Sequence, residues 1–250
     1  MGTCSTVELV GTFDKGVALV GTFDKDVALV GTFDKDVALV GCTSHLTPWW
    51  ALEGATCCVR AYQPIRAVSQ AASYTDWIGN GNAGVGVAPT WDATDGWTFN
   101  GTTQYLTTTF IPQNDQTQSV LVRFSGLGAP QVSNRYFLGS YDGSKGLYLG
   151  HSIYDIWLAS NGGGTGSVTA AGASGVLALA GSAAYFNGVP FGAAMTGWGA
   201  GTPLAAYIGC VNLVGSSARY IPVSIQAVAF YDCTLTAAQV LAISTAMAAL

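Results

Sequence analysis

From Pro48 onward the chain is a succession of short, turn-punctuated runs rich in Val, Ile, Thr, Tyr, Phe and Trp, and this pattern limits the fold more than any other feature. Runs of β-branched and aromatic residues bounded by Gly, Pro, Asn, Asp and Ser read as strands. The candidates are Gln104–Phe110, Ser119–Phe124, Arg135–Ser140, Gly146–Leu149, Ile153–Ala159, Val176–Ala180, Ala183–Asn187, Leu204–Cys210 and Val223–Tyr231. Side chains alternate across a strand, so Val120, Val122 and Phe124 share one face and Leu121 and Arg123 the other. Tyr185-Phe186-Asn187-Gly188-Val189-Pro190 signals a hairpin, because Asn-Gly supplies the two positive-φ residues of a type I′ turn. A helix is expected only at the end. Thr236 is a good N-cap with Gln239 three residues on, and Val240, Ile243, Ala246 and Met247 recur at helical spacing. Many strands and one terminal helix predict an all-β sandwich over residues 47–250.

Composition narrows what such a sandwich does. Half of the residues are apolar and only 9% are charged, against roughly 25% in soluble domains. Hydroxyls, amides and backbone must therefore cover much of the surface. The net charge of −5 offers no basic stripe, which excludes nucleic acid as a partner. The uncharged stretch between Asp155 and Arg219 is broken by Asn187-Gly188, Pro190 and Pro203, so no membrane-spanning segment is expected. The opening residues lack the basic start and apolar run of a secretory signal. Met1-Gly2-Thr3-Cys4-Ser5-Thr6 fits a loose myristoylation pattern, which reads as a chance match. Cysteines at 4, 42, 57, 58, 210 and 233 allow many pairings, and free, half-buried thiols are the expectation.

Residues 1–46 form a separate part. Gly11–Val20, Gly21–Val30 and Gly31–Val40 repeat one ten-residue unit, differing at a single position. Val-Ala-Leu-Val-Gly-Thr-Phe favours a strand and Asp-Lys-Asp a turn, which predicts a short β-meander. Such a ribbon cannot bury its apolar side chains alone. The residues expected to meet a partner are Val17, Leu19, Phe23, Val27, Leu29, Phe33, Val37 and Leu39. Two readings stand: an assembly element adding strands to a neighbour's sheet, or a tandem duplication that packs locally.

A resemblance then emerges in chain order. Ala61-Tyr62-Gln63-Pro64, Gly86-Val87-Ala88-Pro89-Thr90-Trp91-Asp92 and Gly96-Trp97-Thr98-Phe99-Asn100-Gly101-Thr102-Thr103-Gln104-Tyr105-Leu106 open it. Tyr185-Phe186-Asn187-Gly188-Val189, Ile225–Asp232 and Leu235-Thr236-Ala237-Ala238-Gln239-Val240 complete it. The whole resembles laminin-G-like domains of the concanavalin A-like lectin/glucanase superfamily, as in phage and bacterial surface proteins. The resemblance implies a jelly-roll β-sandwich with a short C-terminal helix. The same superfold hosts lectins, hydrolases and structural modules.

Glucanases of that superfamily use paired carboxylates flanking the bond. Here Glu8 and Glu53 are the only glutamates, and Asp92 and Asp95 sit among turn residues, so no enzyme activity is expected. Calcium is the one metal the resemblance suggests, with Asp142 in Ser140–Gly146 as its ligand. The competing reading is Asp142-Gly143 as a hairpin turn. Sugar binding would use Tyr141, Tyr154, Trp157 and Trp198, with Asn161 and Asn212 as polar partners. The expected function is a noncatalytic structural or adhesion module of an extracellular or virion-surface assembly, self-associating through the repeat. The alternative is a soluble glycan-binding, lectin-type domain.

Overall fold

The computed structural model describes residues 8–10, 28–30, 47–113, 117–128, 133–152, 156–162, 164–169, 173–194 and 202–250, with the backbone alone for 8–10, 28–30, 156–162 and 164–169. The chain divides into two compact units, Met1–Thr47 and Pro48–Leu250.

In the first unit, β1 (Glu8–Val10) and β2 (Ala28–Val30) pair in parallel, with Leu9 opposite Leu29. The meander expected of successive copies lies outside the described residues. The register joins equivalent positions of copies two repeats apart. Of the residues expected to meet a partner, only Leu29 falls in this pair. Val17, Leu19, Phe23, Val27, Phe33, Val37 and Leu39 lie outside the described residues.

The second unit is all-β apart from short helices. In chain order its first strands are β3 (Cys58–Tyr62), β4 (Gly84–Val87), β5 (Thr90–Asp92), β6 (Gly96–Thr98), β7 (Tyr105–Thr107), β8 (Ser119–Ser125), β9 (Arg135–Tyr141) and β10 (Gly146–His151). There follow β11 (Ile156–Gly162), β12 (Gly164–Thr169), β13 (Gly175–Ala180), β14 (Ala183–Phe186), β15 (Val189–Phe191), β16 (Tyr207–Ile208), β17 (Val211–Leu213), β18 (Ser216–Ala218) and β19 (Ser224–Tyr231). A 3₁₀ turn at Trp49–Gly54, α1 (Gln70–Ser73) and α2 (Ala237–Ala248) complete it.

Two sheets result. One runs β12-β11-β10-β9-β16-β7-β4, with β17 beside β9 and β18 beside β17. The other runs β15-β14-β13-β8-β19-β6-β5, with β3 against β19. A continuous apolar core joins them: Val120, Val122 and Phe124 of β8 and Phe230 of β19 meet Leu138 of β9 and Leu147 and Leu149 of β10. Phe124 and Phe137 stack at 4.5 Å, and Phe110 and Phe230 at 4.6 Å. The alternation in β8 is as expected, since Leu121 joins a second core on the opposite face. There Ala178, Ala227 and Ala229 let Val240, Ile243 and Met247 of α2 approach the sheet.

Local signals explain the ends. Asn187 and Gly188 both have positive φ, 52° and 77°, and close the β14–β15 hairpin. Thr236 and Gln239 form a capping box, with the Gln239 amide donating to Thr236 Oγ1 and the Thr236 amide to Gln239 Oε1. The expectation of free thiols is corrected at one pair, because Cys57 and Cys233 form a disulfide across 176 residues. Closing so long a loop stabilises by about 3–5 kcal/mol through the unfolded chain. Cys58 and Cys210 remain free thiols. Burial pushes both up to about 12, so Cys58 stays protonated beside the disulfide and is a poor nucleophile towards it.

Candidate functional site

The outer face of the β9-containing sheet carries a cluster built from tyrosines and glycines. A register shift between β9 and β10 sets Leu138 opposite Leu149 but Tyr136 opposite Gly150. The extra β9 residue lets both Phe137 and Leu138 join the core, and Tyr136 turns to the other side. A Cβ on Gly150 would run into the Tyr136 ring, and one on Gly139 would run into Tyr148. Each tyrosine therefore occupies space that its cross-strand glycine leaves free. Tyr136 and Tyr148 pack edge to face at 4.7 Å, and Tyr148 and Tyr141 at 6.4 Å. The Tyr141 hydroxyl donates to the Gly143 carbonyl at 2.9 Å.

A pocket of about 200 Å³ opens here, lined by Tyr136, Tyr141, Tyr148, Val211, Leu213 and Arg219. β17 brings its two apolar residues by pairing in parallel with β9, Leu213 opposite Tyr141. Arg219 follows β18 with φ of +56°, a left-handed conformation uncommon outside Gly, Asn and Asp. Backbone bonds hold it there. The Tyr136 amide donates to the Arg219 carbonyl at 3.1 Å, and Arg135 Nη1 donates to the Tyr220 and Gly101 carbonyls at 2.8 and 3.1 Å. The Arg219 side chain is exposed. Among the described residues no hydrogen bond or ion pair engages its guanidinium.

Electrostatics set the protonation of the walls. Burial raises the Tyr136 hydroxyl above the usual tyrosine range, with Tyr148 adding to the shift and Arg219 opposing it. At neutral pH this phenol is uncharged and can both donate and accept. Among the described residues the arrangement offers the Arg219 cation, aromatic walls and hydroxyls around a space smaller than the roughly 300–1,000 Å³ of a drug-sized site. It suits one small anionic ring or the end of a chain.

Of the residues expected to bind sugar, the structure brings Tyr141 into this pocket. Trp157 lies in β11 opposite His151, with only its backbone described. Tyr154 and Trp198 lie outside the described residues. Asp142 sits in the β9–β10 hairpin. Its Oδ1 accepts from the Ser144 amide and hydroxyl, both at 2.9 Å, and from the Lys145 amide at 2.8 Å. Those backbone amides hold its carboxyl below the usual carboxylate range. Among the described residues no three His, Cys, Asp or Glu side chains gather to hold a metal. The carboxylate caps the turn. Asp92 is likewise a turn residue, accepting from the Thr94 and Asp95 amides.

Sequence reasoning missed Tyr136, Tyr148 and Arg219. The readable part of the signal is a tyrosine two positions before a glycine in Tyr148-Leu149-Gly150 and the tyrosines flanking Gly139. Arg219 had no signal, because its place depends on the pairing of β17 with β9.

No protein-family model matches the sequence, and no curated protein matches it. Solved structures do. A Trypanosoma rangeli sialidase superposes with a TM-score of 0.54 at 15% identity, covering 76% of this chain and 33% of that one. A mutant of Trypanosoma rangeli sialidase displaying trans-sialidase activity and the sialidase in complex with sialic acid each give 0.53 at 16% identity with the same coverage. The chain thus spans about a third of the length of the sialidases it matches. At this identity the likeness is one of fold. It corrects two expectations, the noncatalytic extracellular or virion-surface assembly module and the absence of any enzyme activity, since the proteins sharing the fold are glycosidases. Neither laminin-G-like domains nor self-assembly through the repeat gains support from these neighbours.

Proposed function

We propose that the Pro48–Leu250 unit is a jelly-roll β-sandwich that recognises an acidic glycan within a glycoside-hydrolase system of the sialidase kind. The observation that carries this reading is the exposed guanidinium of Arg219, unpaired among the described residues, at a pocket walled by Tyr136, Tyr141 and Tyr148. A sugar bearing a carboxylate complements both parts. Its carboxylate takes a forked, charge-assisted pair of bonds from the guanidinium, while its ring lies on the tyrosines and its hydroxyls meet phenols. Sialic acid is the ligand in one of the matched sialidase complexes and the first sugar to try. The described lining holds tyrosines and a cation but no carboxylate. The pocket's own chemistry is therefore binding and charge stabilisation, and protonating a leaving group would draw on an acid elsewhere. An extracellular location belongs to the same proposal and is supported by the Cys57–Cys233 disulfide.

Calorimetric titration of the full chain with N-acetylneuraminic acid tests this. Binding is expected to weaken with salt and to fall about 10–100-fold in Arg219→Ala, the scale of one charged hydrogen-bonded group. Arg219→Lys should recover only part of it, because an ammonium cannot fork. Any fluorophore release from a sialoside should fall in parallel. Equal binding by wild type and Arg219→Ala, or a preference for neutral galactose over the acid, contradicts the proposal.

A further inference from the structure

The pocket is one end of a longer aromatic row on the same sheet face. Tyr148 stands opposite Gly139, Gly139 opposite Tyr207, Tyr207 opposite Thr107, and Thr107 opposite Gly84. These five positions form a single ladder across β10, β9, β16, β7 and β4. Their sequence neighbours Leu147, Leu149, Leu138, Ile208 and Leu106 point into the core, so the ladder faces outward. At about 4.8 Å per strand it spans roughly 19 Å. Between Tyr148 and Tyr207 the ladder position is Gly139, against which β10 packs closely.

Beyond Gly139 the aromatic surface continues. Tyr207 and Tyr105 lie 5.2 Å apart with ring planes 32° from parallel, and Tyr220 meets Tyr105 at 6.3 Å. A Cβ on Gly86 would fall within the Tyr105 ring, so that ring lies flat on the β4 backbone. Tyr220 is fixed through its hydroxyl, 2.6 Å from Ser217 Oγ. It directly follows Arg219, which joins this platform to the charged pocket. All three rings are half-buried, with surface left to contact a ligand.

Resting on the acidic-glycan reading above, we infer that Tyr207, Tyr105 and Tyr220 form a second subsite, so that the ligand is an oligosaccharide with its acidic sugar at Arg219 and the adjoining neutral sugars stacked along β16 and β7. Continuity with the pocket and the Arg219 guanidinium at one end, which no hydrogen bond or ion pair engages among the described residues, select this occupant. A groove for a neutral polysaccharide would need no charge, and an acidic peptide would leave the flat rings unused.

The test compares N-acetylneuraminic acid with sialyllactose on the full chain by titration. Wild type is expected to bind sialyllactose about tenfold more tightly than the monosaccharide. Tyr207→Ala should remove that gain and leave monosaccharide affinity unchanged, and Tyr207→Phe should keep the gain. On wild type, sialyllactose but not the monosaccharide should perturb the NMR ring signals of Tyr105 and Tyr207, a readout that needs no variant to fold. If the gain survives Tyr207→Ala, or those signals stay still, the second subsite is overturned while the acidic-sugar pocket stands. If wild type binds neither sugar, both readings fall. Equal affinity for an acidic peptide would also overturn the oligosaccharide.

Discussion

The outer face of the β8-containing sheet is covered by α2, whereas the outer face of the β9-containing sheet carries half-buried tyrosines seated on glycines. The difference is written in side-chain size. Ala178, Ala227 and Ala229 lower the first surface until Ile243 and Met247 reach it and are fully buried. On the other face Gly139, Gly150 and Gly86 lower the backbone under Tyr148, Tyr136 and Tyr105, and Tyr148 and Tyr105 keep part of their area in solvent. Small residues thus serve packing on one face and ligand access on the other. Substitutions on the covered face should change stability and leave sugar binding alone. Truncating the exposed Arg219 on the tyrosine face should do the reverse.

The largest expected effect concerns the covered side. Cys57→Ser should cost about 3–5 kcal/mol in denaturant unfolding, as the 176-residue closure is lost. Ile243→Ala, which empties a fully buried site beneath α2, should cost about 2–5 kcal/mol with sugar affinity unchanged. If either substitution changes affinity while the chain remains folded, the faces are coupled and the contrast fails. Gly139→Ala sharpens the contrast from the other side. Its φ of +147°, the Leu147 carbonyl and the Tyr148 Cβ all oppose a Cβ. A loss of about 1–3 kcal/mol is expected together with loss of the pocket, seen as failed titration.

The smallest effect is a pH dependence in the β9–β10 hairpin. The Asp142 carboxyl is held below its ordinary range by the Ser144 and Lys145 amides. A depressed folded-state value means its stabilisation is present above the unfolded-state value and is lost as pH falls through the folded one. The group is largely exposed to solvent, so the effect is small and local. Amide exchange at Ser144 and Lys145 should quicken only as pH falls below the usual carboxylate range. Unchanged protection there would show that the carboxylate does not cap the turn.

Much of the architecture can be read from short-range pattern. Val120, Val122 and Phe124 alternate inward as their spacing requires, Asn187-Gly188 turns as its backbone preferences require, and Thr236 with Gln239 starts α2. Strands interrupted by glycine escaped notice. Gly164–Thr169 is an edge strand of Gly, Thr, Ser and Val, and Gly84–Val87 alternates Gly with Val. Their strand state comes from a neighbour's hydrogen bonds rather than their own propensity. The binding site was hidden for a related reason. Tyr141 is recognisable as an exposed aromatic, but its partners Tyr148, Val211 and Arg219 converge only through the pairing of β9 with β10 and β17. The Cys57–Cys233 pair depends on long-range geometry in the same way.

The most direct test of the account is a crystal structure of the full chain soaked with N-acetylneuraminic acid. The predicted result is the sugar in the pocket between β10 and β17, its carboxylate in hydrogen-bond contact with the Arg219 guanidinium and its ring against Tyr136 and Tyr148. A sugar seated elsewhere on the molecule, or one in the pocket with its carboxylate turned away from Arg219, would contradict it.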